Sequence, residues 1–327
     1  MGYSTKNKRI ESHNFPHTVH TEVAPTVMSQ FLAPSTKEVR SAVQDKVAIV
    51  TGAAQGIGRA IVELLATSGA KVIIADFDEN LGKQAQDQIG HGTLFIKCDV
   101  TSWRNQIELF RHTIEIHGRI DLVICNAGIN PELWISPNGG DSASPKYDFL
   151  SDIQDGTDPG LLQCPTNKVF DVNVTGVVYG IKLAMHHMLR EGGRIVVIGS
   201  TGSYFSIPSM SLYATSKHAV LGLMRSTSKR SECLENGISV TMVAPSITTT
   251  RMTVEVSKEL PESVVISTPQ DIARAVSMAA TRPQEKVNGK SFLVQGRACI
   301  EVEDVITDCH DKLDATLVST STSLRAP

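Results

Sequence analysis

The feature that most constrains the fold is a short apolar run that leads directly into a glycine-rich turn. Residues 46–51 read Lys-Val-Ala-Ile-Val-Thr, which predicts a buried parallel strand because the run is apolar and β-branched. Gly52, Gly56 and Gly58 follow, and then an apolar helical pattern. Such glycines let the backbone approach a pyrophosphate, and the helix N-terminus supplies amide donors. The turn therefore predicts a dinucleotide-binding α/β domain.

Strand and helix patterns alternate from residue 46 to residue 295. This alternation predicts an α/β fold, namely a single doubly wound Rossmann domain whose seven-stranded parallel sheet has helices on both faces. Right-handed crossovers then place a ligand at the carboxyl ends of the strands. The strands are predicted near 46–51, 71–75, 93–97, 121–125, 194–199, 238–243 and 291–295. The helices are predicted near 57–69, 79–90, 102–117, 167–191, 212–236 and 269–281.

The two ends and one internal segment depart from this alternation. Residues 1–44 are polar and show no sustained period, so we expect a flexible leader before the domain at 45–300. Residues 301–327 are expected to form a loosely ordered tail. The segment 130–165 carries five prolines and four glycines. It predicts a long inserted loop, which in other proteins is either functional or disordered.

Composition narrows the functional class. The 31 basic and 34 acidic residues nearly balance, so nothing indicates a nucleic-acid partner. The six cysteines form no CxxC pair, so neither a metal site nor a disulfide framework is predicted. No apolar stretch reaches membrane-spanning length. We expect a cytoplasmic protein with a small-molecule ligand.

A tyrosine and a lysine four positions apart provide the first catalytic candidate. Tyr213 and Lys217 would lie on one face of a helix. An ammonium beside a phenol favours the phenolate, which lets the tyrosine accept a proton. A Tyr–Lys pair at this spacing is also common on exposed helix surfaces, so the pair alone does not establish catalysis.

Several further motifs occur with this pair in a fixed order along the chain. The ordered motifs are Thr51, Asp99-Val100, Asn126-Ala127-Gly128, Asn173, Ser200, Tyr213, Lys217 and Pro245. With the glycine spacing Gly-x-x-x-Gly-x-Gly, this ordered set resembles the short-chain dehydrogenase/reductase family in its single-domain form, over residues 45 to about 300. Within the family, segments 51–59 and 93–100 are most similar to the subgroup of NAD-dependent 15-hydroxyprostaglandin dehydrogenases.

The resemblance implies roles for four catalytic residues. Ser200 would hydrogen-bond the substrate oxygen, and Tyr213 would take the hydroxyl proton as hydride leaves for the nicotinamide. Lys217 would lower the pKa of Tyr213 and bind the nicotinamide ribose. Asn173 would hold a water that links Lys217 to solvent. Asn126 and Asn173 are 47 positions apart, more than is usual in the family, which marks 130–165 as an insertion.

The sequence predicts that the cofactor of this site is NAD. Asp76 ends the second strand, where a carboxylate accepts hydrogen bonds from the ribose 2′-OH and repels a 2′-phosphate. Gln55 and Phe77 stand where NADP-dependent relatives tend to place basic residues. Ser246 replaces the usual glycine after Pro245, which puts the angles of that loop in doubt. The cofactor contacts implied are Gly52, Gln55, Gly56, Ile57, Gly58, Asp76, Phe77, Asp99, Val100, Asn126, Ala127, Gly128, Tyr213, Lys217, Pro245, Thr248 and Thr250.

The sequence thus predicts an NAD-dependent oxidoreductase that transfers hydride between a lipophilic secondary alcohol or ketone and NAD(H). An NADH-dependent ketoreductase of a biosynthetic pathway and a catalytically silent NAD-bound sensor or scaffold are the alternatives. Four retained catalytic side chains argue against the sensor. The family also implies a homodimer or homotetramer built on helices 167–191 and 212–236. We expect their apolar residues to be left uncovered by the sheet: Val169, Leu183, Met188, Val220, Leu223 and Met224.

Overall fold

The computed structural model describes residues 33–133, 164–254, 257 and 260–323. Its strands are β1 (Val47–Thr51), β2 (Lys71–Asp76), β3 (Leu94–Lys97), β4 (Leu122–Cys125), β5 (Gly193–Ile198), β6 (Ile238–Pro245), β7 (Ser291–Gln295) and β8 (Ala298–Glu301). Its helices before the catalytic region are α1 (Thr36–Val43), α2 (Gly56–Thr67), α3 (Glu79–Ile89) and α4 (Trp103–His117). Those that follow are α5 (Lys168–Phe170), α6 (Gly176–Met188), α7 (Ser211–Ser228), α8 (Ser231–Glu235), α9 (Pro269–Thr281), α10 (Gln284–Val287) and α11 (Glu303–Ser323).

The strands form one sheet in the order β3-β2-β1-β4-β5-β6-β7-β8. Strands β1 to β7 are parallel, whereas β8 is antiparallel to β7. The predicted doubly wound fold is confirmed, with one strand more than predicted. Gly296, at φ +55°, turns the chain back into β8. This strand has only four residues, too few for a clear alternating pattern.

Helices cover both faces of the sheet, and each strand divides its apolar side chains between two cores. In β1, Val50 belongs to the core beneath α2 and α9, while Ile49 belongs to the core beneath α4, α6 and α7. All five residues of β1 are buried, as expected for a central parallel strand. The sheet therefore fixes the carboxyl ends of β1 and β4 as immediate neighbours.

A helix occupies part of the segment expected to be a flexible leader. Ser35 caps the start of helix α1, where its side chain and Glu38 form a reciprocal capping box. Val39 and Val43 are buried in the same core as Ile272 of α9. The expectation was therefore wrong for residues 36–43, because two apolar side chains one turn apart anchor them. Residues 1–32 lie outside the described part of the chain.

The C-terminal segment is likewise more regular than expected, since β8 is followed by α11. Glu303, at the start of α11, is buried and paired with Arg225 of α7, with Nε and Oε2 2.7 Å apart. Its Oε1 accepts a hydrogen bond of 2.6 Å from the Tyr204 hydroxyl. The predicted tail boundary at 301 was wrong, because this buried pair fixes the chain beyond β8.

The helices of the catalytic region differ in detail from the prediction. A π-helical segment, Asp171–Thr175, lies between α5 and α6, within the helix predicted at 167–191. The helix predicted at 212–236 is interrupted, since Arg230 is extended and α8 starts at Ser231. Of the insertion predicted at 130–165, only residues 130–133 and 164–165 are described.

The apolar residues expected to remain uncovered on these helices are already covered within the chain. Val169, Leu183, Met188, Val220 and Met224 are buried, and Leu223 packs partly buried against the same core. That part of the prediction was wrong because the apolar faces of α6 and α7 point at the sheet.

Among the helices of the described residues, none combines the length and the apolar character that a membrane span requires.

The buried Glu303 carboxylate and its partner Arg225 yield a stability prediction. Glu303→Gln removes the negative charge opposite Arg225, and because Arg225 is 35% exposed and partly screened by solvent, we expect a loss of about 1 kcal/mol. We expect the free energy of unfolding, measured by urea denaturation, to fall by that amount. Asp304→Asn is the control, because Asp304 is 70% exposed where it pairs with Lys290 and surface pairs contribute little. Equal effects of the two substitutions would contradict the prediction.

Candidate active site

The glycine turn after β1 packs too tightly for a side chain at Gly52 or at Gly58. Gly52 has a φ of +61°, and a Cβ there would lie 2.8 Å from Ala127 Cα. A Cβ on Gly58 would lie 2.4 Å from the Gly52 carbonyl oxygen and 2.6 Å from Asn126 Nδ2. The turn is therefore pressed against the segment that follows β4.

Hydrogen bonds join the same two segments. Asn126 Nδ2 donates to the carbonyl oxygens of Thr51 (2.8 Å) and Gly52 (3.0 Å). In return, the Thr51 hydroxyl accepts from the backbone N–H groups of Asn126 (3.0 Å) and Ala127 (3.1 Å). Because four hydrogen bonds cross between β1 and β4, the carboxyl edge of the sheet is held rigidly at the centre of the predicted site.

The turn also faces the loop expected to hold a nicotinamide. Gly56 has a φ of +58°, and a Cβ there would lie 3.6 Å from Thr250 Cγ2. Gln55, the residue before α2, makes no side-chain cap to the first turn of that helix. Amide donors at a helix N-terminus and an open glycine face form a cradle suited to a pyrophosphate. The residues present therefore fit a dinucleotide cofactor.

The loop after β6 tolerates serine in place of the usual glycine. Ser246 does not have a positive φ, so its backbone conformation needs no glycine. Its backbone N–H donates to the Val294 carbonyl oxygen (2.8 Å), and its own carbonyl accepts from the Thr248 hydroxyl (3.0 Å). The departure at Ser246 thus leaves the loop intact, with Pro245 as the last residue of β6.

Asp76 has both carboxylate oxygens engaged with the backbone. Oδ2 accepts from Ala54 N (3.0 Å) and Oδ1 accepts from Asp78 N (3.1 Å). The residue is buried, whereas the neighbouring Phe77 is 70% exposed. Asp76 therefore places a fixed negative charge beside the glycine turn.

Asp99 and Val100 follow β3 on the same edge of the sheet. Asp99 is exposed, and its Oδ1 accepts hydrogen bonds from the backbone N–H and the hydroxyl of Thr101. Val100 Cγ2 lies 3.0 Å from where a Cβ of Gly176 would stand. Gly176 therefore allows α6 to approach this loop closely.

Asn173 lies in the π-helical segment and is only 1% exposed. Its Oδ1 accepts from Ile129 N (2.8 Å), and its Nδ2 donates to the Ile129 carbonyl oxygen (2.9 Å) and to Ser216 Oγ (3.0 Å). Single π-turns inserted in helices often occur at functional sites. Here the inserted turn directs the Asn173 amide toward the loop after β4. The amide hydrogen-bonds both the N–H and the carbonyl of Ile129 and so fixes that loop.

Ser200 and Tyr213 lie close together on either side of Gly202, where a Cβ would stand 3.5 Å from Ser200 Oγ and 3.7 Å from Tyr213 Cε1. Ser200 follows β5, is buried, and accepts a hydrogen bond from Gly202 N (3.1 Å). Burial raises the pKa of Tyr213 above its ordinary value, and the nearby Ser200 hydroxyl opposes that rise. The Tyr213 phenol is therefore held in its protonated form well above neutral pH.

Lys217 is buried one helical turn after Tyr213. Its Nζ donates to the Ile198 carbonyl oxygen (2.9 Å) and lies 5.7 Å from the centroid of the Tyr213 ring. Burial lowers the pKa of the amine to about 8. The expected lowering of the Tyr213 pKa by Lys217 is thus not seen, because burial dominates at both groups.

The chain brings the residues predicted for catalysis to one place. Gly128 shows this directly, since a Cβ there would lie 3.3 Å from Asn173 Oδ1 and 3.7 Å from Lys217 Nζ. Sequence reasoning missed Glu132, whose buried carboxylate accepts hydrogen bonds from the backbone N–H groups of Leu212 and Tyr213. No pattern in the sequence could have revealed it, because the contact joins positions 80 and 81 residues apart.

The fold and this constellation define an oxidoreductase with a Rossmann-type dinucleotide site. The chain matches the family model described as short chain dehydrogenase over residues 46–261. It therefore belongs to the short-chain dehydrogenase/reductase family and acts on CH–OH groups.

Similar proteins include enzymes from fungi, animals and plants. A short-chain dehydrogenase/reductase named ascJ from Acremonium egyptiacum is 35% identical, covering 64% of this chain and 66% of that protein. Human 15-hydroxyprostaglandin dehydrogenase [NAD(+)] is 29% identical, covering 66% and 73%. Zerumbone synthase from Zingiber zerumbet is 31% identical, covering 77% and 94%. The crystal structure of gox2181 is 26% identical with a TM-score of 0.64, covering 80% of this chain and 98% of that one.

Proposed function

We propose that this protein transfers hydride between a lipophilic secondary alcohol or its ketone and NAD(H). The observation that carries the proposal is the close approach of Ser200 and Tyr213 about Gly202, with the Lys217 amine 5.7 Å from the centroid of the tyrosine ring. A proton donor, an orienting hydroxyl and a nearby amine are the groups that interconversion of an alcohol and a ketone requires.

In this mechanism Ser200 orients the substrate oxygen and Tyr213 exchanges a proton with it. Lys217 would bind the nicotinamide ribose, and Asn173 would hold the loop that carries Gly128. When bound, NAD supplies the hydride acceptor and a positive charge. Because burial raises the pKa of Tyr213, the phenol is ready to donate a proton at neutral pH. Oxidation of an alcohol, which needs the phenolate, should therefore accelerate as the pH rises.

The preference for NAD is proposed from charge. Asp76 is fixed by two backbone N–H groups beside the glycine turn, so a 2′-phosphate would meet a carboxylate that cannot turn away. Neither Gln55 nor Phe77 offers a compensating positive charge. The human relative is named as an NAD(+) enzyme, which supports the same choice.

An apolar substrate is proposed from exposed apolar side chains in two segments next to the proposed site. Phe205 is 59% exposed in the loop between Ser200 and Tyr213. The segment after Thr250 adds Met252, Val254 and Val265, exposed by 39%, 37% and 53%. Apolar side chains predominate in the lining of small-molecule sites. Two of the relatives are named for a prostaglandin and for zerumbone.

One observation favours a second candidate, an NADH-dependent ketoreductase. The protonated Tyr213 is the form that donates to a ketone oxygen, so the acid that reduction requires is present at neutral pH. Initial rates of both directions measured from neutral to alkaline pH separate the candidates. A reductase shows the larger rate at neutral pH with physiological concentrations of both cofactor forms.

We also propose a homodimer or homotetramer, with a revised contact surface. Helix α7 exposes small residues at helical spacing, Thr215, Ala219, Gly222 and Ser226, which would allow a second helix to approach closely. Helix α6 exposes Val178, and Leu189 directly follows the helix, with exposures of 39% and 37%. These outward residues replace the buried apolar ones as the proposed interface.

The proton-transfer role predicts the behaviour of Tyr213→Phe. The ring still packs, but loss of the acid–base group should lower kcat by about 10²–10⁴-fold while NADH binds as in the wild type. Tyr179→Phe is the matched control, because Tyr179 is a half-buried tyrosine of α6 that packs edge-on against Trp103. A screen of secondary alcohols with NAD+ supplies the assay. Wild-type turnover in Tyr213→Phe would refute the mechanism.

The charge argument predicts that Asp76→Ser with Phe77→Arg shifts the preference towards NADP+. Serine removes the negative charge yet keeps an acceptor near Ala54 N, and the guanidinium can pair with a 2′-phosphate. The ratio of kcat/KM for the two cofactors measures the shift. Phe77→Arg alone is the control, and we expect it to shift the ratio less because the carboxylate remains. A wild type that uses both cofactors equally would contradict the proposed role of Asp76.

The assembly proposal predicts that Gly222→Glu yields monomers. A Cβ at Gly222 meets no atom within 4 Å, so the substitution should not disturb the monomer, but a self-complementary contact would bury its charge twice. Light scattering measures the molar mass. Gly222→Ala, which lacks the charge, should keep the wild-type assembly. A wild type that is monomeric and fully active at working concentration would overturn the proposal.

A further inference from the structure

A buried carboxylate lies against the first turn of the helix that carries Tyr213. Glu132 belongs to the 3₁₀ turn Pro131–Leu133 and is only 2% exposed. Its Oε1 accepts from Leu212 N (3.2 Å), and its Oε2 accepts from Tyr213 N (2.9 Å). Each oxygen thus holds one of two successive peptide groups, and the second belongs to the proposed acid–base residue itself.

Helix α7 depends on this carboxylate because the side chain of its own N-cap residue does not cap the first turn. Met210 occupies the N-cap position and makes no side-chain cap hydrogen bond. The first N–H groups of a helix have no partner within the helix, and leaving one unsatisfied when buried costs about 1–3 kcal/mol. A carboxylate at this end also interacts favourably with the helix dipole. Glu132 supplies from a distant segment what Met210 lacks.

Glu132 is itself fixed from both sides of the site. Its backbone N–H donates to Asn130 Oδ1 (3.1 Å), and Asn130 Nδ2 donates to Met210 Sδ (3.3 Å). One residue earlier, Ile129 is clamped by Asn173 through both of its backbone groups. Residues 129–132 therefore bridge the π-helical segment and the start of α7.

We propose that Glu132 is a positioning residue that sets Tyr213 against Ser200 during proton transfer. This inference rests on the proposed function, since it assigns a support to the acid–base residue. A displacement of reacting groups by about 1 Å can cost about 10²-fold in rate. Loss of the carboxylate should therefore act on kcat and leave cofactor affinity unchanged, because both carboxylate oxygens accept hydrogen bonds from the backbone of α7.

Glu301 is a closely matched control, because it is a second buried glutamate that caps a helix, and that helix carries no proposed catalytic residue. Glu301 is 4% exposed, and its two oxygens accept from Glu303 N (2.7 Å) and Asp304 N (3.2 Å) at the start of α11. Glu132→Gln and Glu301→Gln make the same chemical change. In each, the amide oxygen can still accept one N–H, while the new NH₂ faces the other N–H. Both variants should lose similar stability.

The experiment compares the two variants with wild type for urea unfolding, NADH affinity, KM and kcat, using an alcohol found in the substrate screen. We expect Glu132→Gln to lower kcat about 10- to 100-fold with NADH affinity within about twofold, and Glu301→Gln to keep wild-type kcat. Glu132→Asp retains the charge but is one methylene shorter, so its kcat should be intermediate. That variant also serves as the test if Glu132→Gln does not fold.

A double substitution separates positioning from general damage. If Glu132 acts through Tyr213, adding Glu132→Gln to Tyr213→Phe should cause no further loss of kcat. Equal kcat losses in Glu132→Gln and Glu301→Gln, or wild-type kcat in Glu132→Gln, would overturn the inference while the function stands. Wild-type turnover in Tyr213→Phe would overturn the proposed function, and the positioning role of Glu132 with it.

Discussion

The exchange of hydrogen bonds between Thr51 and Asn126 is the interaction on which the site depends. It joins the carboxyl ends of the two central strands, β1 and β4, with the Asn126 amide donating to two successive carbonyls of the glycine turn. Gly58 can lie against this junction only because it lacks a Cβ. The start of α2 and the loop after β4 therefore keep one relative position, so a cofactor cradle and a proton-transfer site can share a rigid edge.

A second polar junction continues from the first along the loop after β4. Asn173 hydrogen-bonds both backbone groups of Ile129. Three residues later, Glu132 accepts hydrogen bonds from the first turn of α7. The residues between these contacts connect three elements that are remote in sequence. Because all the partners are backbone groups, the geometry does not depend on which side chains line the substrate entrance. Such a scaffold can hold its catalytic groups while the entrance varies.

The sequence could predict those structural features that depend on the pattern of neighbouring residues. The glycine turn, the apolar strands and the Tyr213–Lys217 spacing each lie within one short window, so the doubly wound fold was predictable. Strand β8 and helix α1 are short and gain stability from packing, which a local pattern does not reveal. Glu132 was invisible for the same reason. The outward faces of α6 and α7 were misjudged because helical spacing shows which residues share a face, but not which face meets the sheet.

Burial explains why the chain's own charges do not activate the tyrosine. It raises the pKa of Tyr213 and lowers that of Lys217 to about 8. Burial thus opposes the charged form of each group, although an amine with that pKa is still mostly protonated at neutral pH. The Lys217 amine donates to the Ile198 carbonyl, which leaves it beside the ring of Tyr213 and away from a direct bond with the phenol. Charges interact more strongly at buried groups than in water, so a positive charge bound beside Tyr213 would favour its phenolate form.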